Sequence, residues 1–163
     1  GADEATAYKT RLTKGSSSYL VDFPKTYGSE PVLSLSLENN KDGGVIIPFM
    51  ISGVTTQQYG INFGSIIPND NYYLHTTARV EGTSSFHQTT TQSFFTDLSA
   101  GSSKYFIEFS EPFLVPPIVS CAVETQSSVR IPHLVSGISS SGYNIQFNSN
   151  IPAGYKIHTH AVR

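Results

Sequence analysis

Tryptophan is missing from this sequence, and methionine and cysteine occur once each, as Met50 and Cys121. A single thiol excludes an internal disulfide framework and any multi-cysteine metal site. Charge is scarce as well: 13% of the 163 residues are charged, with a formal net charge of −2. Residues 1–82 hold six Lys/Arg and eight Asp/Glu, and residues 83–163 hold four of each. Neither half carries the basic footprint that a phosphate backbone requires, so no nucleic-acid partner is expected. Long hydrophobic runs are missing too. Val45-Ile46-Ile47 and Val115 to Val119 are among the longest, far short of the ~20 residues of a spanning helix, and no membrane association is expected. No signal peptide or lipidation motif is recognisable. A chain that opens Gly1-Ala2-Asp3-Glu4 is expected to have lost its start, by processing or by the way it was made.

What the sequence does have is Ser, Thr, Tyr and Phe in short alternating runs broken by Gly, Pro and Asn. Tyr19 to Phe23, Val32 to Leu37 and Tyr143 to Phe147 are examples. In Val32 to Leu37 the leucines 33, 35 and 37 share one face and Ser34 and Ser36 the other, the pattern of a half-buried strand. No window keeps a 3.6-residue period, and turn signals recur every 8–12 residues or so, which predicts an all-β chain.

The strongest signal is self-similarity. Gly15-Ser-Ser-Ser-Tyr19-Leu-Val-Asp-Phe23 aligns with Gly101-Ser-Ser-Lys-Tyr105-Phe-Ile-Glu-Phe109. Pro31 then falls on Pro117, Glu38 on Glu124, Ile47-Pro48 on Ile131-Pro132, Ser52-Gly53 on Ser136-Gly137, and Tyr59 on Tyr143. Tyr72, His75, Thr76 and Ala78 fall on Tyr155, His158, Thr159 and Ala161. The similarity runs from about 8–80 to about 94–163. It predicts a tandem repeat of two small antiparallel β-sandwich units, jelly-roll or lectin-like, with about five strands each. The expected division is an N-terminal segment 1–14, a first unit 15–80, a Ser/Thr-rich linker 81–100 and a second unit 101–163. Units of this size bury only about 60% of their unfolded surface, so the two are expected to pack on each other and the chain to oligomerise.

Few constellations carry chemistry. Gly101-Ser-Ser-Lys104 lacks the upstream glycine and following helix of a phosphate loop and reads as a turn entering a strand. His158-Thr-His160 puts two imidazoles on one strand face. Around a three-fold axis that face could offer nitrogens to a metal, but the expected reading is polar strand residues and no metal site. Cys121 lies in an apolar strand and aligns with Leu35 of the first repeat, a core position. Lys104, Arg130 and His133 stand where the first repeat has Ser18, Ile46 and Phe49, so the second repeat has gained three polar or basic groups. Asp3 and Glu4 are adjacent carboxylates, able to act as general acid and base if a bond beside Gly1 is cut. No Ser-His-Asp or Cys-His order is recognisable, which argues against a secreted turnover enzyme.

The repeated frame of aromatic strand, Pro-led strand, Ser-Gly turn, Tyr-x-x-x-Phe, Ile-Pro and Tyr-x-x-His-Thr-x-Ala resembles small β-sandwich modules at the ends of phage tail fibres and tailspikes. It is also similar to H-type lectin sandwiches. The whole chain, from Gly1-Ala-Asp-Glu4 to His158-Thr-His-Ala-Val-Arg163, resembles the C-terminal domain of pre-neck appendage proteins. These are the tailspikes of small podophages that infect Gram-positive hosts. The resemblance implies an intramolecular chaperone, an autochaperone that promotes trimerisation of the tailspike. It is then removed by self-cleavage and released with the help of ATP. On that reading Gly1 is a new terminus, Asp3 and Glu4 are the catalytic residues, and ATP is the cofactor. Lys104, Arg130 and His133 would hold ATP between chains. The partners implied are two further copies and the upstream domains of the precursor. The place is the host cytoplasm during assembly, and the mature virion would lack the released piece. A rival expectation is a lectin-like module for host glycans, with Tyr59 and Tyr143 stacking on sugar and Asn69, Asp70 and Asn71 hydrogen-bonding to it.

Overall fold

Period-two alternation in the sequence becomes period-two burial in the strands. In β6 (Tyr72–Arg79) the side chains of Tyr72, Leu74, Thr76 and Ala78 are buried, while Tyr73, His75, Thr77 and Arg79 lie on the other, partly open face. The computed structural model describes residues 5–41, 44–86 and 89–163, and these form thirteen strands and no helix. The other strands of the first half are β1 (Ala5–Arg11), β2 (Ser18–Asp22), β3 (Val32–Asn39), β4 (Phe49–Val54) and β5 (Gln58–Phe63). After β7 (Gly82–Phe86) come β8 (Thr89–Leu98), β9 (Lys104–Glu108), β10 (Ile118–Thr125), β11 (His133–Ser136), β12 (Gly142–Phe147) and β13 (Tyr155–Val162). No helix among the described residues is long and apolar enough to cross a membrane.

Hydrogen bonding joins β1-β6-β3 and β2-β5-β4 in the first half, and β8-β13-β10 and β9-β12-β11 in the second, all antiparallel. The order is the same in both. One parallel bridge, Ile51 to Glu124, links β4 to β10, so seven strands from β2 to β7 form a single sheet across the halves. Each half therefore has six paired strands where five were expected. The extra strands are β1, in the segment assigned to the terminus, and β8, which with β7 occupies the segment assigned to a linker. Their apolar signal is weak because the face turned away from their own core carries Ala5, Ala7 and Lys9, which are exposed, or Thr91 and Ser93, which are buried. Their abundant β-branched threonines suit a pleated surface.

Each half encloses its own aromatic core. Val21, Phe23, Leu33, Tyr59, Ile61, Phe63, Tyr72 and Leu74 pack together in the first, and Ile107, Phe109, Tyr143, Ile145, Phe147, Tyr155 and Ile157 in the second. The two cores exchange one residue each: Met50 of β4 packs in the second and Ala122 of β10 in the first. The halves are thus joined by interdigitated side chains, and the described chain is all-β and sandwich-like.

Gly101-Ser-Ser-Lys104 is a turn. Gly101 has φ of 95° and Gly15 has 96°, a left-handed conformation that costs other residues free energy. The Gly15 and Gly101 N–H groups donate to the carbonyls of Ile67 and Ile151. The Tyr19 hydroxyl donates to the carbonyls of Thr13 and Ser16, and the Tyr105 hydroxyl to those of Ser99 and Ser102.

Candidate functional site

Two regions between the halves gather chemistry. The first is a groove of about 340 Å³ lined by Leu35, Ile46–Met50, Cys121–Val123 and Arg130–His133. Its walls are the two Ile-Pro segments, delivered by the loops that precede β4 and β11. Arg130 and His133 therefore lie in one groove with the residues they replace, Ile46 and Phe49. The His133 ring stands 6.1 Å from that of Phe147, and desolvation pushes its pKa below the ordinary histidine value. Lys104 is elsewhere. It opposes Gln146, which opposes Leu134, on the face of the β9-β12-β11 sheet away from His133. Within one chain, then, two of the three proposed nucleotide contacts converge and the third does not.

Cys121 also borders this groove. Burial pushes its thiol up to about 11, against the opposing pull of a hydrogen bond with Tyr143. A thiol so poor in thiolate is no nucleophile at neutral pH.

The second region is built from β13, β10 and the start of β3. His158 is fully buried. Its Nε2–H donates to Glu124 Oε1 at 2.7 Å, and its Nδ1 accepts the Leu33 backbone N–H at 3.0 Å. His160 is also buried and donates from Nε2–H to the Val32 carbonyl at 2.9 Å. The two imidazoles sit on one strand face, as alternation predicts, and together they hold the Val32–Leu33 peptide group, one bonding its carbonyl and the other its N–H. Burial pushes the His160 pKa down to about 4, with Arg79 and His158 adding to the effect and the Val32 bond opposing it. Both nitrogens of His158 and the Nε2 of His160 are engaged with protein groups. Among the described residues no group of three or more His, Cys, Asp or Glu is placed to hold a metal.

Asp3 and Glu4 lie outside the described residues. Tyr59 and Tyr143 are not sugar platforms: both are buried, each bonding its hydroxyl to a threonine, Thr76 at 2.6 Å and Thr159 at 2.7 Å. Asp70 is tied to its own half, its Oδ1 accepting the Lys14 N–H at 3.0 Å and its carbonyl accepting Arg11 Nε–H at 3.3 Å. Asn69 accepts the Asn71 N–H. The pairing of Glu124 with His158, and of Glu38 with His75, was visible only as aligned residue types. The strand register that brings each pair together had to come from the structure. No protein-family model matches this chain, and neither a curated protein nor a solved structure matches it.

Proposed function

We propose that this chain is an autochaperone: a tandem pair of jelly-roll-like units that brings three copies of a phage tailspike together and is then cut off and released. The observation that carries the reading is the surface. Leu114, Val115 and Ile118 stay exposed within five residues of one another, and a local apolar patch of this kind marks a surface for association. The resemblance of the repeats and of both ends of the chain to podophage appendage tailspikes supplies the partner, the upstream part of the same precursor. It also supplies the setting, the host cytoplasm during assembly, and the absence of the released piece from the mature virion.

Asp3 and Glu4 are the proposed acid and base of self-cleavage. ATP is the proposed release factor, held by Arg130 and His133 at the groove, with Lys104 reaching it from a neighbouring copy. The burial of Tyr59 and Tyr143 removes the stacking residues on which the glycan-binding rival rested. The test is mass spectrometry of the intact precursor. The expected result is spontaneous release of a 17.7 kDa piece that starts at Gly1, slowed roughly 10²–10⁴-fold by Asp3→Asn or Glu4→Gln. A precursor that stays whole overturns the reading.

A further inference from the structure

The same His–Glu pair occurs twice, and only one copy is covered. His75 Nε2 meets Glu38 Oε1 at 2.7 Å, as His158 meets Glu124. In the second half the outer face of β8-β13-β10 is closed by the leading edge of β3, where Val32 and Leu33 bond to His160 and His158. In the first half no strand among the described residues lies upon the equivalent face of β1-β6-β3. Its rows are Ala7, Thr77 and Ser34, then Lys9, His75 and Ser36. A shallow groove lined by Ala7, Lys9, His75 and Thr77 runs along this face between β1 and β6.

The covering edge also occurs twice. Val32 follows Pro31 and lies opposite Arg79 of β6; Ile118 follows Pro117 and lies opposite Val162 of β13. Val32 is 0% exposed, because the second half receives it, whereas Ile118 is 73% exposed. Beside Ile118, the side chains of Leu114 and Val115 are exposed too, at positions where the first half has Gly28 and Ser29. One molecule thus holds one completed contact, one empty receiving face and one unused apolar edge.

We propose that the His75–Glu38 face of one chain receives the Ile118–Val119 edge of β10 from a second copy of this chain, repeating between molecules the contact that β3 makes with β13 within one. The His75 Nδ1 accepts the Val119 N–H, as His158 accepts that of Leu33. The Thr77 hydroxyl donates to the Ile118 carbonyl in the role of His160. Such a contact is heterologous, with donor and receiver on different surfaces, so it propagates until it closes into a ring. Three chains place six similar units around that ring. The inference rests on the trimeric reading for the number of copies only; the contact itself comes from the contact inside one chain.

Sedimentation velocity on the full chain tests it, with Ile118→Asp breaking the edge and Ala7→Arg blocking the face. Both positions are exposed, so each variant should still fold, with the far-UV circular dichroism of the wild type. The wild type should sediment as a closed oligomer, and each variant should associate about tenfold or more weakly. Mixing the two variants is decisive. An Ala7→Arg chain still has an intact edge, an Ile118→Asp chain an intact face, and one good contact forms between them. The mixture should therefore give dimers and stop there. A wild type that remains an oligomer while both variants do the same overturns this contact and leaves trimerisation standing. A mixture that stays monomeric also overturns the contact. A monomeric wild type at micromolar concentration overturns both.

Discussion

His75–Glu38 and His158–Glu124 share chemistry, strand register and a 2.7 Å separation, yet they live in different media. The first pair is 45% exposed on both sides; in the second, His158 is 0% and Glu124 12% exposed. Water competes for every hydrogen bond of the first pair, and an exposed pair of this kind contributes about 0–1 kcal/mol. In the second pair the imidazole bridges Glu124 and the Leu33 N–H, and removing it strands both in the interior. A motif's worth is set by what covers it, here the start of β3.

Deleting each imidazole in turn should separate the two pairs most. His158→Ala should destabilise the chain by about 3–5 kcal/mol, the cost of leaving a buried charged group and a backbone donor without partners. His75→Ala should cost less than about 1 kcal/mol. Urea unfolding of both, at a concentration where the chain is monomeric, reads the difference. Equal costs would mean that the β3 edge lends the second pair nothing.

A second test uses pH, and it acts on His160, whose first-half counterpart Thr77 does not titrate. Burial holds the folded pKa near 4 against an unfolded value of 6.5. Above pH 6.5 neither state binds the proton, and the contribution of the neutral, buried ring is complete. As pH falls from 6.5 toward 4, the unfolded chain takes up a proton that the fold refuses, and stability is lost. The loss amounts to about 3 kcal/mol once pH passes the folded value. His160→Gln keeps a donor for the Val32 carbonyl but removes the titration. Stability should therefore fall less between pH 7 and pH 4 in the variant than in the wild type, and parallel pH profiles would exclude His160 as the source.

The parts of this arrangement were unequally legible in the sequence. Alternation in Val32 to Leu37 and Tyr143 to Phe147 pointed to strands. The aligned glycines 15 and 101 pointed to turns, because such features depend on neighbours in the chain. The strands β1 and β8 were obscured, since Ala, Thr and Ser on the face turned away from their own core give little hydrophobic contrast. The clamp on β3 was out of reach for a different reason. Leu33 and His158 are 125 residues apart, and nothing local marks a backbone N–H as the partner of a distant imidazole. Aligning His75 with His158 and Glu38 with Glu124 did display both pairs, but not which of them would be buried.

The smallest expected effect concerns the groove, where the second half departs from the first by placing His133 at the position of Phe49. The Phe49 ring packs against Phe63 with centroids 5.7 Å apart, and His133 stands 6.1 Å from Phe147. His133→Phe restores the first-half pairing, and because this position is exposed it should stabilise the chain only slightly, by about 0.5 kcal/mol at pH 7. The gain should grow on acidification, because the depressed His133 pKa makes the wild type lose stability as the unfolded imidazole takes up its proton. If the histidine is kept for packing, nothing else changes. If it is kept for the nucleotide, calorimetric titration should show weaker ATP binding in the more stable protein. That opposition is what a substitution made for function should show, since packing alone would favour the phenylalanine that the first half retains.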